Sequence, residues 1–204
     1  MKTVVLLSGG IDSSVLLHRL AAEGRELVPL FIDYGQRARW QELESARWQC
    51  HALRLPLQSL DMASVGEAFR AGEAKKHHVP IPQRNLVALG LGVAWADKAG
   101  AEGIALAVNR DDGGDYAGAA PAFLAAFTAA VETLGRFRLE TPLADRSKAD
   151  VIRLGAGLRV DFGHTYSCLL GHARQCGRCP QCRKRRAAFA AAGVAEPDRG
   201  YEGD

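Results

Sequence analysis

Apolar runs of strand length alternate along this chain with stretches whose apolar residues recur at helical spacing. Residues 4–7 form an unbroken apolar run, and helical periodicity covers 13–23. Residues 26–32 repeat the strand pattern, 41–53 read as a polar amphipathic helix, and 57–60 as a short strand after Pro56. Charge and proline between 71 and 82 mark a loop. Beyond it, 86–99 read as helix, 103–107 as strand, and 121–133 as an alanine-rich helix opened by Pro121. Strand–helix alternation at this spacing predicts an α/β fold, a parallel sheet with helices on both faces. Ligands of such sheets bind beyond the carboxyl ends of the strands. No internal repeat interrupts the pattern, and 195–204 read as a loose tail.

Composition changes this picture little. At 204 residues, 48% hydrophobic and 24% charged, the chain is long enough for one well-buried core. A net charge of +3 is too small to argue for nucleic acid. Arg178, Arg183, Lys184, Arg185 and Arg186 do crowd the C-terminal fifth, and 183–186 read as a solvated helix face. No run of roughly 18 apolar residues exists to span a membrane. The first residues lead straight into a strand, so no secretory signal is expected and the cytoplasm is the expected compartment.

The first strand breaks into Ser8-Gly9-Gly10-Ile11-Asp12-Ser13. Two glycines permit a tight turn, and a helix starting at Ser13-Ser14 would aim its free N–H groups and the positive end of its dipole at one point. That point favours an anion, above all a phosphate. A serine-capped strand-to-helix turn would account for the glycines alone, but not for the whole string. No Gly-Lys-Ser/Thr follows, so the string is not a Walker loop. It resembles the pyrophosphate loop (PP-loop) of ATP pyrophosphatases, which cleave ATP between its α and β phosphates. The resemblance implies that Ser8, Gly9, Gly10, Ser13 and Ser14 hold pyrophosphate, with Asp12 organising the loop and a magnesium ion.

Four of the five cysteines, Cys168, Cys176, Cys179 and Cys182, fall within fifteen residues. Thiolates two residues apart on a tight turn suit a tetrahedral ion, and four of them leave no open position. Zinc in a structural role is expected. An iron–sulfur cluster uses the same ligands, but no redox motif accompanies them. His164 and His172 flank a shell already filled, and Cys50 reads as a buried bystander.

An N-terminal pyrophosphate loop joined to a four-cysteine knuckle resembles the 7-cyano-7-deazaguanine synthase family. Phe31-x-Asp33-Tyr34-Gly35-Gln36-Arg37 is similar to that family's F-D-Y-G-Q-R, and Pro82-Gln83-Arg84-Asn85 to its P-x-R-N. Glu140-Thr141-Pro142-Leu143 with Ser147-Lys148 matches E-T-P-L…S-K, and Tyr166-Ser167-Cys168 its W-S-C. The resemblance implies a five-stranded parallel Rossmann-like sheet of PP-loop type over 1–160, a zinc knuckle over 161–193, and a flexible tail over 194–204. It implies catalytic roles for Asp12, Ser13, Arg84 and Lys148, and ATP contacts from Phe31, Asp33, Gln36 and Asn85. Tyr34, Asn109, Asp112 and Tyr116 would contact the substrate. Read by themselves, Asp33 serves equally as a loop-closing aspartate and Asn85 as a helix N-cap. Lys148, at a helix start, faces an unfavourable dipole unless an anion visits.

The implied activity consumes ATP with magnesium, joins ammonia to a 7-deazaguanine carboxylate, and ends in the nitrile. A homodimer is the family expectation. One segment departs from the pattern: the family's D-C-R is replaced by Gly118-Ala119-Ala120, removing polar contacts that discriminate between substrates. Asp111 or Asp115 are the nearby candidates to compensate. Three readings follow: a synthase with a drifted loop; a paralogue, like those associated with phage defence, that hands the carboxylate to a protein amine; or a non-catalytic nucleotide- or RNA-binding zinc module.

Overall fold

The computed structural model describes residues 1–71, 80–114, 116–197 and 201–202. Most of the loop expected at 71–82, Asp115, and residues 198–200 and 203–204 of the expected tail lie outside them. In chain order, β1 (Lys2–Leu6) leads through the glycine turn into α1 (Ile11–Ala22), then β2 (Glu26–Asp33), α2 (Arg39–Ala52) and β3 (Gln58–Asp61). A short α3 (Ala63–Arg70) and α4 (Arg84–Ala99) follow, then β4 (Gly103–Ala105), α5 (Pro121–Glu132), β5 (Arg138–Glu140), α6 (Lys148–Gly157) and α7 (Pro180–Ala192). The sheet is five-stranded and parallel in the order β3-β2-β1-β4-β5. The expected parallel sheet is therefore present. The order reverses between β1 and β4, where a parallel sheet opens a crevice above its strand ends.

Period-two alternation along the central strands builds two cores. Val5 and Leu7, with Leu27 and Phe31 of β2, face α1, α2, α6 and α7. Val4 and Leu6, with Leu30, face the other way, onto Leu89 and Ala96 of α4 and Leu124 and Val131 of α5. Both faces of β1 are covered, which is why its sequence reads as an unbroken apolar run. Cys50 sits in the first core as expected, where burial pushes its thiol up to about 12.

Four local expectations need correction. The first helix begins at Ile11, not Ser13, because Gly9 turns the chain at φ +74° and Gly10 already stands as an extended N-cap. Asn85 does not cap α4: it lies inside the first turn, and Gln83 holds the N-cap position in a left-handed conformation, without a side-chain bond to the helix. The 183–186 face is not wholly solvated. Arg185 is 2% exposed and donates to the carbonyls of Phe162 and Thr165, to the Thr165 hydroxyl and to Glu196. Beyond α7, Glu196 thus pairs with Arg185, Tyr201 bridges to Gln175, and Glu202 bonds His172, so the described part of the expected loose tail is held. The sequence pattern also passed over α3 and β5. β5 is three residues long with a single apolar position, too short to show a period.

Beneath the sheet edge, Arg25 donates to both carboxylate oxygens of Glu140 at 2.6 Å and to Thr3 Oγ1 at 2.6 Å. Gly103 makes room for this fork: a Cβ there would lie 2.5 Å from Thr3 Oγ1 and 2.8 Å from Glu140 Oε1.

Candidate active site and metal centre

A cavity of about 550 Å³ opens at the switch point, within the range of small-molecule and cofactor sites. Its floor is the turn after β1. Ser13 Oγ bonds Ser8 Oγ at 3.1 Å and accepts from the Ser8 N–H at 3.2 Å, drawing the two hydroxyls together at the mouth of α1. The first N–H groups of α1 have no intrahelical acceptors, so this end of the cavity presents donors and positive potential. A Cβ on Gly9 would collide with the Glu42 carbonyl oxygen and come within 2.9 Å of Ser45 Cβ, so only glycine lets α2 close on the turn.

Twelve of the residues singled out in the sequence line this cavity: Ser8, Gly10, Asp12, Ser13, Phe31, Tyr34, Gln36, Arg84, Asn85, Asp112, Tyr116 and Lys148. They arrive from the turn after β1 and the start of α1, from β2 and the loop after it, from the loop after β4, and from the first turns of α4 and α6. Gly9, Ser14, Asp33 and Asn109 support the wall from behind. Ser14 is fully buried, its hydroxyl without a partner among the described residues. Asp33 accepts from the Gly35 N–H at 2.9 Å, closing the turn after β2. Asn109 donates to Asp12 at 3.3 Å and accepts from the N–H groups of Asp111 and Asp112.

Lys148 forms an ion pair with Asp12. The anion that makes a lysine tolerable at the start of α6 is thus supplied within the cavity, while Ser147 and Asp150 complete a capping box beneath it. Asp112 is pushed above the usual carboxylate range by burial and by the neighbouring Asp12 charge, against the pull of Lys148 and Lys184. Arg84 and Lys184 both lie over the Tyr116 ring, whose hydroxyl accepts from Gln181 of α7 at 3.0 Å.

The departing segment also has a place. The Gly118 carbonyl accepts from Asn85 Nδ2 at 3.0 Å, and a Cβ on Gly118 would meet Asn85 Cβ at 3.1 Å. Ala119 lines the cavity. Asp111, a candidate for compensation, instead accepts from the Lys148 N–H outside the cavity lining.

Sequence reasoning missed Glu42 and Gln181 as cavity residues. Glu42 lies amid the polar positions of α2, and nothing in its local pattern separates it from solvated neighbours. Its carboxylate accepts from Gln36 Nε2 at 2.9 Å.

The sulfur atoms of Cys168, Cys176, Cys179 and Cys182 lie within 4.8 Å of one another, all buried. The edge of a zinc–thiolate tetrahedron is about 3.8 Å for bonds of about 2.3 Å, so this cluster can close on one metal ion with small adjustments. Backbone N–H groups of Leu170, Cys176, Cys179 and Cys182 point at the sulfurs at 3.2 to 3.4 Å and favour thiolates. The two flanking histidines are engaged elsewhere: His164 bonds Asp161 and stacks on Trp48, and His172 bonds Glu202. The knuckle is also part of the cavity. Ser167, Leu169 and Gln181 line it, and the Tyr166 N–H donates to the Gly9 carbonyl at 3.0 Å.

The profile of the queuosine biosynthesis protein QueC matches residues 2–193. The chain belongs to this family. The 7-cyano-7-deazaguanine synthase of Azoarcus sp. strain BH72 is 38% identical over 220 aligned positions, covering 97% of this chain and 96% of that protein. The 7-cyano-7-deazaguanine synthase 1 of Sulfurisphaera tokodaii is 35% identical, with 98% of each chain covered. Among solved structures, the NMN synthetase of Francisella tularensis superposes with a TM-score of 0.59 at 17% identity, covering 96% of this chain and 79% of that one. A 4-thiouridine synthetase, solved with RNA and ATP, gives 0.55 at 15% identity, covering 94% of this chain and 50% of that one. At these identities the structures share the fold with this QueC-family chain. No described helix is long and apolar enough to cross a membrane.

Proposed function

We propose that this QueC-family chain is an ATP-dependent C–N ligase that converts a 7-deazaguanine carboxylate to its nitrile. The observation that carries this reading is the convergence of the serine–glycine turn, the Asp12–Lys148 pair and Arg84 in one cavity of a chain so similar to named synthases. In the first half-reaction a carboxylate oxygen attacks the α-phosphorus of ATP, the bond to the β-phosphate oxygen breaks, and pyrophosphate leaves. Ser8, Gly10 and Ser13 would receive it at the mouth of α1, where N–H donors and the helix dipole stabilise an anion. Lys148 and Arg84 would neutralise the charge that develops on the phosphates, and rigid placement supplies much of the remaining acceleration.

Asp12 is the carboxylate that would hold a magnesium ion, which supplies further charge neutralisation when bound. Asp112 stands beside it, and their mutual repulsion favours a shared cation. Phe31 and Asn85 remain the proposed ATP contacts, with Tyr34, Asp112 and Tyr116 on the substrate side. Asp33, Gln36 and Asn109 are proposed to position these groups. In the second half-reaction ammonia attacks the acyl carbon, AMP departs, and the amide forms. A second ATP then activates the amide oxygen, and loss of AMP yields the nitrile. The four cysteines would hold zinc, whose closed thiolate shell fits a structural role.

Mass spectrometry of a reaction containing ATP, magnesium, 7-carboxy-7-deazaguanine and ammonium tests this reading. Stepwise appearance of amide and nitrile, with AMP and pyrophosphate, is the expected outcome. AMP without nitrile would move the acceptor to another amine. No AMP at all would overturn the reading.

A further inference from the structure

Glu42 has no place in the chemistry above, yet it is built into the cavity wall with unusual care. Its backbone carbonyl presses on Gly9, so the start of α2 is fixed against the phosphate-binding turn. Its side chain is oriented by Gln36, which is 3% exposed. Both ends of the Gln36 amide are committed: Oε1 accepts from the Tyr34 N–H at 2.9 Å, and Nε2 donates to Glu42 Oε2 at 2.9 Å and to the Ile32 carbonyl at 3.3 Å. Glu42 Oε1 carries no hydrogen bond among the described residues, and the residue lines the cavity. A carboxylate here opposes the binding of a polyphosphate. Its presence makes sense if the cavity must also admit a small cation that carries a proton.

The reaction proposed above has one such reactant. Ammonia is protonated at neutral pH, and an ammonium nitrogen has no lone pair with which to attack. We propose that Glu42 is the general base of the amide-forming step: it binds the incoming ammonium ion and takes its proton. This rests on the adenylating activity proposed above. An N–H bond of ammonium breaks, the proton passes to the carboxylate, and the electron pair stays on nitrogen. That pair forms the C–N bond as the C–O bond to AMP breaks, AMP leaves with the bonding electrons, and the surplus proton on the new amide nitrogen goes to water. A carboxylate and a cation at close range in a partly dehydrated cavity suit both the binding and the transfer.

A base must be ionised to act. Burial pushes the Glu42 carboxyl up to about 7, against the pull of the Gln36 hydrogen bond and the Arg84 charge, and Asp33 adds to the rise. Tyr34 and Tyr166 also face Glu42, both held neutral by burial in the working pH range. Amide formation should therefore fall as the pH drops through about 7.

The test compares the full-length wild type with Glu42→Gln, whose amide can still accept the Gln36 bond. Three rates are measured: ATP–pyrophosphate exchange driven by 7-carboxy-7-deazaguanine, amide formation from ammonium, and hydroxamate formation from hydroxylamine. Hydroxylamine is largely unprotonated at neutral pH and needs no base. The expected result is loss of amide formation by about 100-fold or more, with exchange and hydroxamate formation changed by less than about tenfold. The limb near pH 7 should also vanish in the variant. Unchanged amide formation, or a parallel fall in all three rates, would overturn the role of Glu42 while leaving adenylation intact in the wild type. No exchange in the wild type would overturn the adenylation reading, and this role with it.

Discussion

At the scale of single residues, the cavity is a balance of charges that mostly satisfy one another. Lys148 stands where a helix dipole repels it and is held there by Asp12, while Asn109 fixes the other Asp12 oxygen. Under the function proposed above, a ligand phosphate would exchange for Asp12 as the partner of Lys148, with the lysine already in place. Lys148→Met is expected to slow AMP formation by about 10²–10³-fold, read by pyrophosphate release, with the fold unchanged by circular dichroism. Glu42 makes the opposite bargain between function and stability. Its folded pKa of about 7 lies above the ordinary 4.5, so the stability it contributes is fully present below pH 4.5 and is lost as pH rises through 7. Glu42→Gln removes that loss. Thermal melts should show the variant more stable by about 5 °C at pH 8, with the difference gone at pH 4.

At the scale of elements, two arginines, Arg25 partly buried and Arg185 fully so, hold pieces that local propensity would not. β5 is too short to secure itself, and the fork from Arg25 to Glu140 ties it to the start of β2. Gly103→Ala would drive a methyl group into that fork and should cost about 1–3 kcal/mol, measured by urea unfolding. Arg185 does the same for α7, knitting it to the turn at 162–165 and to Glu196. Truncating it strips the Glu196 carboxylate of its charge partner, leaving it the Tyr201 hydroxyl, and takes a donor from the Phe162 and Thr165 carbonyls. Arg185→Ala is expected to destabilise the protein by about 3–5 kcal/mol, and Arg183→Ala by less than about 0.5 kcal/mol, in the same unfolding assay.

Across the whole molecule, the knuckle and the sheet make one site. The knuckle segment lines the cavity with Ser167, Leu169 and Gln181 and holds the serine–glycine turn through the Tyr166–Gly9 bond. Its cysteines pack with Ala38 at the entry to α2, so the cysteine cluster supports the same wall that carries Glu42. Removing the metal with a chelator should lower the melting temperature, speed hydrogen exchange at 166–182, and weaken ATP binding, although no cysteine touches the cavity. Elemental analysis should find one zinc per chain.

Sequence periodicity carried the fold because β1 and β2 are buried on both faces, and burial writes itself into composition as unbroken apolar runs. The serine–glycine turn and the four cysteines were legible for a related reason: each demands particular atoms at fixed spacing within a few residues. Boundaries were less visible, as at Ile11, where backbone geometry and not side-chain type starts the helix. What only the tertiary structure decided was the meaning of polar residues in polar surroundings. Arg185 looks like its charged neighbours and Glu42 like any helix-surface acid; Lys148 stands out by its place at a helix start, but its partner does not. Their partners, Glu196, Gln36 and Asp12, lie 11, 6 and 136 residues away in the chain. A charged side chain is solvated, structural or reactive according to what the fold sets against it, and that pairing has no local signature.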